Sequence, residues 1–169
     1  IISEALVFHE NIDQKKAAII AHQAQGNYNK ALHLLNNDED EYPFEEWFVA
    51  WVRAAFRAKG NAAAIQDLIR WSEQIASLGR EAQKKFLNYC IDMFRQGMLL
   101  NYQSEKLVFI EPTVENFKLE NFAPFVTGNN INEIFTALSD AIYHIERNGN
   151  VKIILTDLSI KLTRLIHKK

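Results

Sequence analysis

Cysteine occurs once in these 169 residues, at Cys90, so no disulfide can close within the chain, and the expected compartment is a reducing cytoplasm. Only three prolines and six glycines interrupt the sequence, and runs of alternating β-branched residues are scarce. With so few breakers and so little strand patterning, the expected fold is all-α. No apolar run approaches the roughly 18–20 residues that cross a bilayer. The formal charge of −2 argues against a surface that coats nucleic acid generally. No GxxxxGK[ST] or GxGxxG run supplies a phosphate cradle, and no glycine-framed turn presents a serine nucleophile. The five histidines, His9, His22, His33, His144 and His167, never stand three or four residues apart, which argues against a zinc site. No cofactor is expected. The chain starts at Ile1 without Met or a cationic signal start, and is read as a fragment of a longer protein.

What is present is most pronounced between Asn130 and Lys169. Ile131, Ile134, Phe135, Leu138, Ile142 and Ile145 recur at helical spacing, and Ile154, Leu158, Leu162, Leu165 and Ile166 repeat the pattern. Asn148-Gly149-Asn150 separates them, with Gly149 expected in the left-handed region and Asn150 as the next cap. Lys161, Arg164, Lys168 and Lys169 keep the second helix wet. The two patterns predict a tight helical hairpin with faces built for packing.

Upstream, the spacing predicts a short helix ending near His9. A second follows Asp13, with Ala17, Ile20, Ala21 and Ala24 turned inward, and Gly26 stops it. A third runs over Asn29–Leu35. The run Asn36-Asn37-Asp38-Glu39-Asp40-Glu41-Tyr42-Pro43 is dense in turn formers and acid, and predicts a linker over 38–43. After it the helices lengthen. Glu45–Lys59 carries a stripe of Phe48, Trp51, Val52 and Phe56, and Ala62–Ser77 one of Ile65, Leu68, Ile69, Ser72, Ile75 and Ala76. Arg80–Leu100 carries Phe86, Cys90 and Phe94. Tyr102–Pro112 predicts a short strand or an extended connection, and Val114–Phe125 a short helix burying Phe117 and Phe122.

Few of these residues suggest chemistry. Cys90 sits mid-helix on an apolar stripe without a histidine nearby, as a structural thiol would. Outside the linker, Arg80, Glu81, Gln83, Lys84 and Lys85 form the densest polar cluster, where Glu81 can pair with Lys84 or Lys85. It reads equally as a solvated face or as the polar rim of an interface. Trp47, Trp51 and Trp71 read as core, and any exposed one as an interface anchor. Residues 1–79 hold 7 Lys/Arg against 11 Asp/Glu, and residues 80–169 hold 12 against 10, too mild a basic bias for a DNA-binding face.

Four stretches resemble one family. The run Ile145–His167, IERNGNVKIILTDLSIKLTRLIH, resembles the closing helix of delta-prime subunits of the bacterial replicative clamp loader, as found in Bacteroidetes-type bacteria. Leu78–Asn101 and Asn121–Val126 agree with it in order and spacing. Gly26–Leu35, GNYNKALHLL, resembles the last helix of the AAA+ lid. The resemblance implies that residues 1–37 end a helical lid domain and residues 44–169 form a collar domain that joins the subunits in a ring. By register Asn29 stands where sensor-2 arginine stands, with Gly26 before it and Lys30 after. An uncharged Asn cannot stabilise a γ-phosphate as a guanidinium can.

The resemblance further implies a non-catalytic cytoplasmic subunit in a hetero-oligomer with delta and the gamma/tau ATPase subunits. It reaches the sliding clamp and primed DNA only through that complex, and has no membrane role. Arg80, Glu81, Lys84, Arg147, Asn148, Asn150, Asp157, Lys161 and Arg164 are the candidate collar-interface residues. The alternative is a helical protein-interaction adaptor unrelated to replication. A small helical metal-binding bundle is disfavoured by the absence of Glu-x-x-His pairs.

Overall fold

A computed structural model describes residues 2–10, 13–28, 31–32, 35, 42–102, 108 and 112–168. Every regular element among them is helical, so the chain is all-α. It divides into two compact units, 1–42 and 43–169. The acidic positions 36–41 lie outside the described residues, as do Asn29, Lys30 and most of the 103–111 connection.

In the first unit α1 (Ile2–Glu10) packs on α2 (Gln14–Gln23). Leu6, Ala17, Ile20, Ala24 and Ala31 form its buried centre, and Tyr28, Leu32 and Leu35 are helical and pack against them. Small alanines at the centre let the helices approach closely. Asp13 holds the N-cap position of α2, yet its carboxylate accepts no capping hydrogen bond. After α2 the backbone turns through two left-handed residues, Gln25 (φ 51°) and Gly26 (φ 85°). Gly26 is therefore explained by backbone conformation, which glycine adopts without a Cβ penalty.

The second unit is a bundle of α3 (Phe44–Arg57), α4 (Ala62–Ala76), α5 (Arg80–Asn101), a short α6 (Leu119–Phe122) that tightens into a 3₁₀ turn at Ala123–Phe125, α7 (Ile131–Glu146) and α8 (Val151–Leu165). Helix α8 lies along α4, α7 and α3, while α5 packs on α7 and on the α6 segment. Aromatic rings dominate the centre. Trp51 and Trp71 stack at 4.8 Å with planes 4° apart, and Phe48 meets Phe94 and Phe122 edge-on at 5.5 and 5.6 Å. Both arrangements suit the quadrupole of an aromatic ring.

The α7–α8 hairpin is present, with α8 one unbroken helix, but its turn works differently from the expectation. Asn148 takes the left-handed conformation (φ 61°), and Gly149 does not. Gly149 N–H donates to the His144 carbonyl at 2.9 Å and Asn148 N–H to that of Ile145 at 3.1 Å, which together make a Schellman closure. Gly149 is needed for space: a Cβ there would stand 2.8 Å from Ile154 Cδ1 and 2.9 Å from the His144 oxygen. Asn150 caps α8 through Ile153 N–H at 3.2 Å.

Two stripes and one helix differ from expectation. Phe56 and Ile65, expected inside, are 45% and 46% exposed, because each lies at the edge of its helix's apolar arc. The helix expected from Val114 begins only at Leu119, since Asn116 is left-handed (φ 61°) and interrupts the ladder. The preceding segment is instead pinned to α3: the Glu45 carboxylate accepts from Thr113 N–H, from Thr113 Oγ1 at 3.1 Å and from Val114 N–H at 2.8 Å.

Candidate interaction surface

The polar residues singled out in the sequence fall in two places. At one end of the bundle the first turn of α5 meets the last turn of α7. There Arg80 donates to the side-chain carbonyl of Asn148. Lys84 bridges Glu81 at 3.3 Å on its own helix and Glu146 at 3.4 Å on α7. Its hydrogen bond to Glu81, reinforced by Glu146, raises the ammonium above the ordinary lysine range. The Arg147 guanidinium lies 3.5 Å over the Tyr143 ring. Arg80 and Lys84 clasp α5 to the end of α7 in solvent, where ion pairs add little stability. Gln83 does not share that surface. It is buried, and its amide donates to the carbonyls of Ile75, Ala76 and Leu78 at 3.3, 3.2 and 2.6 Å, closing the end of α4.

The second place is the outer face of α8. Asp157 pairs with Lys161 at 2.6 Å one turn apart. Arg164 stands in the last turn, where a cation complements the helix dipole. Asn150 is occupied as the cap. Between the charges stand Ile153, 66% exposed, and Ile160, 48% exposed. Residues 153, 157, 160 and 164 follow one another at steps of four, three and four, so isoleucine and charge alternate along one stripe. Leu155, Leu158, Ser159 and Leu162 occupy the buried face of the same helix. The sequence reading marked Asp157, Lys161 and Arg164 but passed over Ile153 and Ile160. The signal was there: α8 carries more branched aliphatics than one buried arc accommodates.

A third feature was missed entirely. An open groove of about 620 Å³ lies between α3, the 116–125 segment and Ile166, with Arg53, Arg57 and Lys118 on its rim. Phe56 falls at helical spacing with Phe48 and Val52, so in the sequence it reads as core and not as a groove wall.

The lone thiol is locked away. Cys90 is fully buried and its thiol is pushed well above its ordinary pKa by burial. Burial, with the nearby Glu45 charge, likewise raises the Tyr89 phenol. Trp51 and Trp71 are core, and their indole N–H groups donate to Ser159 Oγ at 2.9 Å and the Trp47 carbonyl at 3.0 Å. Trp47 is partly buried against the same core. No three His, Cys, Asp or Glu side chains gather to hold a metal among the described residues. No helix among the described residues is long and apolar enough to cross a membrane. Compared with protein-family models, curated proteins and solved structures, the chain matches none.

Proposed function

We propose that this chain is a non-catalytic assembly module, the end of the lid and the collar domain of a clamp-loader delta-prime subunit, acting in the cytoplasm. In this reading the second unit joins delta and the gamma/tau ATPase subunits, and it meets the sliding clamp and primed DNA only through them. Sequence order supports the family reading: Gly26–Leu35, Leu78–Asn101, Asn121–Val126 and Ile145–His167 follow one another as in delta-prime subunits. The single observation that carries the assembly role is the α8 stripe of Ile153, Asp157, Ile160 and Arg164. Two isoleucines held in water on a rigid helix are stabilised by a partner that covers them, and the flanking charges set its register.

Co-purification with delta and an ATPase subunit of the same replication system tests the proposal. The chain is expected to enter a complex, and the double substitution Ile153→Glu and Ile160→Glu to abolish it while leaving thermal unfolding unchanged. Failure of the folded wild-type chain to join either subunit would reject the clamp-loader reading in favour of a helical adaptor.

A further inference from the structure

We propose that the groove between α3 and the 116–125 segment is a docking site for an acidic peptide segment of a partner protein, one that lays a bulky apolar side chain on the groove floor against the Phe56–Phe125 ring pair. Val52, Phe117, Phe122 and Ile166 make an apolar floor. One wall is a pair of half-exposed rings, Phe56 at 45% and Phe125 at 37%, in edge-to-face contact at 5.0 Å. His167 stacks on Phe56 at 5.3 Å and fixes that wall from outside. Rings held in place before binding lose little freedom when a ligand arrives. An open groove of this shape admits a side chain projecting from an extended segment.

Charge identifies the occupant. Arg53, Arg57 and Lys118 line the groove, and no carboxylate does among the described residues. Arg57 has an exposed partner in Asp67 at 3.5 Å, outside the lining. Arg53 reaches only the Glu115 carbonyl, at 3.4 Å, and neither it nor Lys118 has an ion pair among the described residues. Two uncompensated cations beside an apolar floor complement a segment that alternates carboxylates with an aromatic or long aliphatic residue. The site is separate from the α8 stripe, so its failure would leave the co-purification result standing, and the converse holds as well.

The test is selection of a random-peptide display library on the immobilised chain, with the Arg53→Glu, Lys118→Glu double variant for counter-selection. Expected survivors carry Phe, Trp or Leu flanked by Asp or Glu. A fluorescein-labelled survivor is expected to lose roughly tenfold in affinity on the charge-reversed variant and on Phe56→Ser, and to bind more weakly as salt rises. All three substituted positions are on the surface, and circular dichroism with thermal unfolding verifies the fold. No enrichment, survivors without acidic residues, or undiminished binding to both variants would overturn the proposal. So would binding to phosphatidylserine vesicles, lost in the same variants, with no peptide enriched.

Discussion

Ser159 makes two hydrogen bonds inside the bundle, donating to the Leu155 carbonyl at 2.8 Å and accepting from the Trp51 indole at 2.9 Å. A buried donor without an acceptor carries its full desolvation cost, which exceeds the net worth of a satisfied bond. Ser159→Ala is therefore expected to cost about 1–3 kcal/mol in urea unfolding, and an unchanged midpoint would show that the indole finds another acceptor. The same economy explains Gln83 and Asn130. Buried Asn130 donates to the carbonyls of Phe125 at 2.8 Å and Leu165 at 3.0 Å and accepts from Thr127 N–H at 2.9 Å. Each amide satisfies carbonyls that a helix end leaves open. The sequence could not reveal these roles. Gln83 stands among charged neighbours and reads as surface, because local pattern carries no information about a carbonyl brought in from another helix.

Helix ends behave differently from one another. Asn150 caps α8 as its place after Asn148-Gly149 predicts, and Asp13 holds the cap position of α2 without the bond. Asn61, which the sequence marks only as a helix stop, accepts from Ala63 and Ala64 N–H at 3.0 and 3.2 Å. Where two residues are both able to turn the chain, the sequence does not choose between them, and Asn148 took the left-handed position expected of Gly149. Gly149→Ala is accordingly expected to destabilise by about 1–3 kcal/mol through steric overlap, because the obstructing atoms include backbone. Thermal unfolding checks this, and a stability gain would mean the turn relaxes without cost. Gly97 serves a related purpose on α5, where a Cβ would meet the Phe122 ring at 3.0 Å; its absence lets α6 settle into the core. Helices α3, α4, α5, α7 and α8 were legible because their apolar periodicity persists over many turns. The segment around α6 was not, since one left-handed Asn outweighs a short periodic run.

At the scale of the molecule, the second unit depends on one continuous aromatic and aliphatic core that α8 completes. Leu158 and Leu162 are 3% and 2% exposed within it. Leu158→Asp or Leu162→Asp would bury an unpaired charge at a cost of roughly 4 kcal/mol each. Near-native thermal unfolding of both variants would mean that α8 is not part of the packed core. The face opposite to these leucines holds Ile153 and Ile160, so one helix closes the bundle and offers a stripe outward.

The sequence by itself determined the helical class, the long elements and the centre of each apolar stripe, though not its edges at Phe56 and Ile65, because the periods of hydrophobicity and of the helix coincide. It also determined that Cys90 would be a packed thiol. Only the tertiary structure decided which polar residues close distant helix ends, which apolar residues remain outside, and that Phe56, Phe125 and three cations share one groove. Those relations join residues far apart in the chain, and their energies depend on packing geometry that a linear pattern does not contain.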